Sequence, residues 1–195
     1  MANIPFASSN GGPVVAVPAE VAAHWLGLGD DAFHAEYLAR SSKMRSTEYG
    51  GFFTMKLAGS TVLLFNGETH TSWLQEPGGG TFVREGCPHT AAKARKLVAS
   101  VPEKAWKRFT MLTLKEGRLV VLDSALPAGD LSAIDTSNGV VRAKLEPGAY
   151  QVDIAALGGI DLARLRLTAT AVAKPAKPAK PKPAKPKAGA TERRR

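Results

Sequence analysis

The chain has 195 residues, 44% of them hydrophobic, with one cysteine and a formal charge of +9. That length and apolar content suit one ordinary core, and a single cysteine excludes an intramolecular disulfide framework and favours a reducing compartment. The charge is unevenly placed: in residues 173–195 nine cations (Lys174, Lys177, Lys180, Lys182, Lys185, Lys187, Arg193, Arg194 and Arg195) stand against Glu192 alone, which accounts for +8 of the total. Residues 1–172 hold 17 basic and 16 acidic groups, so the basic character belongs to the tail and says little about the folded part.

Residues 1–12 (MANIPFASSNGG) are small and polar and read as a flexible lead-in without the basic and apolar regions of a secretory leader. No stretch reaches the ~18–20 apolar residues of a membrane span, so a soluble, cytoplasmic protein is expected. Residues 13–17 form a short buried strand. Pro18 then suits the first turn of a helix, where its missing N–H is no loss, and Val21, Trp25 and Leu28 give that helix one apolar face. Asp30 or Asp31 caps a second helical piece carrying Phe33, Tyr37 and Leu38.

From Tyr49 the period becomes that of strands. Residues 52–57 and 61–65 flank Ala58-Gly59-Ser60 as a hairpin. Residues 69–75 and 81–85 flank Glu76-Pro77-Gly78-Gly79-Gly80, whose glycines are read as a turn. Over 90–101 the period returns to helical, with Ala94, Leu97, Val98 and Val101 inward and Lys93, Arg95 and Lys96 outward. Residues 107–115 and 118–123 suggest a hairpin about Glu116-Gly117, and 124–138 a loop. Residues 140–145 and 150–155 suggest another about Glu146-Pro147-Gly148-Ala149. In 162–171, Leu165, Leu167 and Ala169 alternate with Arg164, Arg166 and Thr168, as in an edge strand with one solvated face. The expectation is α+β: mostly antiparallel sheet of about eight strands, two or three short helices, one domain over 13–172 and a disordered Lys/Pro/Ala tail over 173–195.

Chemistry is sparse. His24, His34, His70 and His89 lie far apart, and only Cys87-Pro88-His89 brings two metal-type ligands together, which does not close a site. Cys87 precedes a helix start, where a thiol pKa falls, but His89 is poorly placed as its base. It therefore reads as a buried or incidental thiol. The glycine clusters match no phosphate-binding or nucleophile-elbow pattern. No cofactor, metal, small-molecule substrate or catalytic set is expected, and the chain reads as a non-enzyme. Trp25, Trp73 and Trp106 read as core, with Trp73 the recognition contact of choice if any is exposed. The tail suits salt-sensitive, sequence-independent contact with polyanions such as DNA, without aromatic stacking; a solubilising extension is the alternative.

Four segments in order resemble the immunity protein 21 family of bacterial polymorphic-toxin systems. They are Ser9-Asn10-Gly11-Gly12-Pro13-Val14-Val15-Ala16-Val17-Pro18 with His24-Trp25-Leu26-Gly27; Val62-Leu63-Leu64-Phe65-Asn66-Gly67-Glu68-Thr69; Arg118-Leu119-Val120-Val121-Leu122-Asp123-Ser124-Ala125; and Leu145-Glu146-Pro147-Gly148-Ala149-Tyr150-Gln151-Val152. Gly29-Asp30-Asp31-Ala32-Phe33-His34 departs from the acidic-aromatic stretch that members carry there, and the basic tail is no part of the pattern. The resemblance implies a cytoplasmic, non-enzymatic protein that binds and neutralises a cognate toxin. Its expected contacts are Asp30, Asp31, Glu68, Trp73 and Glu76, with Glu36 beside the first acidic pair. These acidic clusters are modest and do not single out a nuclease as the target.

Overall fold

The computed structural model describes residues 3–9, 12–29, 31–44, 51–67, 69–129 and 139–170. Within them lie strands β1 (Phe6–Ala7), β2 (Val14–Pro18), β3 (Phe52–Leu57), β4 (Ser60–Phe65), β5 (His70–Glu76), β6 (Gly79–Glu85), β7 (Lys107–Leu114), β8 (Arg118–Asp123), β9 (Val141–Lys144), β10 (Gly148–Leu157) and β11 (Ile160–Thr170). Helices α1 (Asp31–Met44) and α2 (Ala91–Ser100) and the 3₁₀ turns Ala19–His24 and Glu103–Ala105 complete them. The strands form a six-stranded sheet in the order β1-β5-β6-β11-β10-β7 and a five-stranded sheet in the order β3-β4-β2-β8-β9. Every pairing is antiparallel.

Period-two alternation explains how the sheets stack. On β2, Val14 and Ala16 point into a cluster between the sheets, joined by Phe52, Leu63, Phe65 and Val121 from one side and Phe82, Leu112, Tyr150 and Val152 from the other. Val15 and Val17 point the opposite way, into a second cluster with Met55, Leu64 and Leu122, roofed by Val21, Trp25 and Leu28. A strand covered on both faces reads as a continuous aliphatic run, as Val-Val-Ala-Val does. The far face of the six-stranded sheet carries a third, smaller cluster in which Leu74, Val83, Ala155 and Leu162 meet Ala94 of α2. Thr90 caps α2 by accepting the Lys93 N–H at 3.3 Å.

The fold class agrees with expectation; several local expectations are corrected. Residues 3–9 are not a loose lead-in. Phe6 pairs with Ser72, the Ile4 N–H donates to the His89 carbonyl at 2.8 Å, and the Trp73 N–H donates to the Pro5 carbonyl at 2.8 Å. Strands β7 and β8 do not form a hairpin, nor do β9 and β10. Instead β7 pairs with β10 and β8 with β9, so both short links cross from one sheet to the other. The links lie side by side: the Leu145 N–H donates to the Gly117 carbonyl at 2.7 Å, and Gly117 turns there with φ +64°. Alternation registers which face of a strand is buried but not which neighbour it pairs with, so a short Gly/Pro link looks the same either way.

Strand β11 is central, between β6 and β10, rather than an edge. Its polar side keeps Arg166 and Thr168 exposed, as expected of a solvated face, while Arg164 and Arg166 are also engaged in ion pairs. Gly79 and Gly80 belong to β6, not to a turn. A methyl group on Gly79 would overlap the Leu165 carbonyl, and one on Gly80 would overlap the Trp73 ring, so both are glycine because a neighbour approaches closely. Residues 130–138 of the expected 124–138 loop, and the expected tail over 173–195, lie outside the described residues.

Candidate functional site

The sequence-predicted contact residues do not converge. Asp31 is exposed in the first turn of α1, where a carboxylate is favoured by the helix dipole. Glu76 ends β5, and its carboxylate accepts the Thr81 hydroxyl at 2.9 Å across the hairpin. Asp30 and Glu68 lie outside the described residues, as do all nine tail cations, Lys174 to Arg195. Trp73 is corrected: only 4% of it is exposed, its ring packs 4.6 Å from Phe82, and its indole N–H donates to Gln75 at 2.9 Å. A side chain so enclosed fills the core and cannot be the exposed recognition contact. Trp25 is likewise buried and stacks on Phe33, whereas Trp106 is half-buried.

Three charge clusters emerge that sequence spacing did not reveal. The first plugs one end of the space between the sheets. Arg84 is 2% exposed; its guanidinium donates to the Asn66 carbonyl at 2.6 Å and to the Thr69 hydroxyl at 2.8 Å, and lies 3.4 Å from Asp161. The rings of Phe52 and Phe65 stand 5.5 and 5.6 Å from it. Burial pulls its pKa down to about 10, against the opposing pull of Asp161, so it stays a cation at neutral pH.

The second cluster lies on the outer face of β10 and β11. Arg164 holds Glu103 through two bonds, of 2.8 and 3.0 Å, and its guanidinium caps the Trp106 ring at 4.2 Å. Arg166 pairs with the buried Asp153 at 2.6 Å, and Gln151 donates to the same carboxylate at 2.6 Å. Fork-shaped Arg–carboxylate geometry orders such a surface, although exposed pairs add little stability.

The third surrounds the Glu85 carboxylate at the β6–α2 corner. Lys93 Nζ lies 3.0 Å from Oε2, the His89 Nε2 lies 3.2 Å away, and the Cys87 thiol lies 3.8 Å away. Lys93 holds the Glu85 carboxyl below its usual range, and burial, aided by Lys93, pushes the fully buried His89 imidazole below its usual value. Cys87 is exposed, correcting the expectation of a buried or incidental thiol on the first point. Its polar neighbours are Glu85 and Lys93, and the imidazole two residues on, His89, is turned to Glu85 instead. Among the described residues no group of three or more His, Cys, Asp or Glu side chains is placed to hold a metal ion. No described helix is long and apolar enough to cross a membrane.

Fold and surface together define a helix-flanked antiparallel β-sandwich whose polar features are charged clusters set on rigid strands. Comparison with family models gives the particular class, because the model for immunity protein 21 matches residues 6–160, from the start of β1 through β10. The chain belongs to that family. No curated protein and no solved structure gives a significant match.

Proposed function

We propose that the chain is a non-enzymatic immunity protein that binds and neutralises a cognate bacterial toxin in the cytoplasm. The observation that supports this is the family match over residues 6–160, which takes in β1 through β10 rather than an isolated motif. The physical demands of the role agree with the architecture. A neutralising partner needs a rigid surface and charge complementarity, and here three hydrophobic clusters clamp two sheets and leave charged side chains on their rims. The expected contacts Asp31 and Glu76 remain candidates on that surface, at separate places. Expression of the chain should restore growth to cells producing the toxin module of its own system; absence of rescue by well-folded protein would refute the proposal.

A second activity is favoured by one feature of the sequence, the nine cations against one carboxylate in residues 173–195. Such a segment can neutralise phosphates without reading bases. Binding to duplex DNA should weaken steeply with salt and vanish on deletion of residues 173–195, and equal binding by the shortened chain would refute it.

A further inference from the structure

The rim where the two sheets meet beside α2 holds a groove of about 390 Å³ that none of the clusters above occupies. It is backed by Trp73 and Leu74 of β5 and by Val141 and Ala143 of β9, each no more than 4% exposed, so what it presents to a ligand is its charged rim and the edge of β9. Three cations stand over it: Arg95 from α2 and Arg142 and Lys144 from β9. All three are exposed, and among the described residues none is paired with a carboxylate. Lys93, Arg118 and Arg164, by contrast, are each held by a glutamate.

The backbone adds a second feature. β9 is the last strand of the five-stranded sheet, so among the described residues one side of it pairs with no strand. On the opposite wall β1 pairs with β5 at Thr71 and Ser72, and the Pro5 carbonyl accepts the Trp73 N–H at 2.8 Å, so that edge of β5 is already covered. An open strand edge offers N–H and C=O groups to an added strand. Arg142 and Lys144 deter a second copy of the same edge by like charge, and the same charges admit a strand of opposite sign. The basic tail of this chain is repelled for the same reason. A nucleic acid would satisfy the cations but not the N–H and C=O groups of the strand edge, and Trp73 is enclosed and offers no face for stacking.

We propose that this groove receives an extended acidic segment of the protein partner, added as a strand beside β9 with its carboxylates on Arg95, Arg142 and Lys144. The proposal rests on the immunity function above and names the kind of toxin segment that would be held. The probe is a fluorescent ten-residue peptide of alternating Glu and Val, titrated against the full 195-residue chain. Controls are a Lys-Val peptide and a single-stranded oligothymidine of similar length. The Glu-Val peptide should bind, more weakly as salt rises, and should protect the amides of residues 141–144 from hydrogen exchange. R142E/K144E, changed at exposed positions and checked for an unaltered melting temperature, should bind it about tenfold more weakly or less. The tail is identical in both proteins, so the difference reports the groove alone.

Equal peptide binding by the double variant, protection appearing elsewhere, or oligothymidine binding that the same substitutions abolish would each overturn the proposal. The two levels separate in a growth assay. If R142E/K144E rescues cells as well as the unaltered chain does, the groove is wrong and the immunity function stands. If the unaltered chain gives no rescue, the immunity function itself falls.

Discussion

Strand β2 of the five-stranded sheet reads Val-Val-Ala-Val-Pro and every residue in it is buried, and the carboxylate that sheet buries, Asp123, lies at the end of β8, whereas the six-stranded sheet buries Arg84 within β6 and Asp153 within β10. One sheet is held mainly by apolar contact on both faces. The other combines apolar contact with charges, each of which needs a named partner. The difference has a practical meaning. Apolar contacts tolerate replacement in proportion to the volume lost, but a buried charge tolerates replacement only if its partners are also cared for. The charged sheet is therefore where the identity of the replacement, and not merely its size, should decide the outcome.

The sharpest test of that contrast is a pair of substitutions at one position. Arg84→Ala should cost about 3–5 kcal/mol, because it strands the Asn66 carbonyl, the Thr69 hydroxyl and Asp161 and removes the cation beside two rings. Arg84→Met keeps most of the packing volume but strands the same partners, so it should recover little of that loss; near-complete recovery in denaturant titrations would mean that packing, and not charge pairing, holds the site. In the apolar sheet, Leu64→Ala should cost about 2–5 kcal/mol, since the side chain is fully buried in the cluster beneath Trp25 and α1. Leu64→Met should recover most of that loss.

Where the two β6 glycines meet their neighbours, shape rather than charge is at stake. Gly80→Ala should cost about 1–3 kcal/mol by driving a methyl group into the Trp73 ring. A silent change in the thermal melt would show that the ring can retreat. The smallest effect concerns pH. His89 titrates below its ordinary 6.5 in the folded chain, so on acidification the unfolded chain takes the proton first. Its contribution is complete above about 6.5 and is lost as pH falls through that value toward the folded pKa. The lowered pKa of Glu85 adds a loss of the same sign at still lower pH. His89→Gln should flatten the fall in melting temperature between pH 7 and 5, and an unchanged slope would remove His89 as its cause.

These contrasts also show what could be read from residues alone. The places of β3, β4 and α2 were legible because each carries a clear period and a turn or cap beside it, as with Ala58-Gly59 and Thr90. The two-residue β1 was not, since Phe6-Ala7 is too short to have a period and is held by Ser72 and Thr71. Nor were the sheet crossings at Gly117 and Pro147, because the link carries no record of the strand it will lie beside. β11 looked like an edge strand because Arg164 and Arg166 alternate with leucines, but its polar face meets Glu103, Asp153 and Trp106. Of the surface, Asp31 and Glu76 could be picked as acidic positions. The convergence of Arg95, Arg142 and Lys144 could not, because it depends on α2 and β9 meeting across some 50 residues of chain.

The central claim is that this sandwich exists to hold another protein. Isothermal titration of the full chain with the toxin module of its own system tests that claim most directly. Saturable one-to-one binding in the nanomolar range, weakened by R142E/K144E, is the predicted result. No heat and no complex, with both proteins folded, would contradict it.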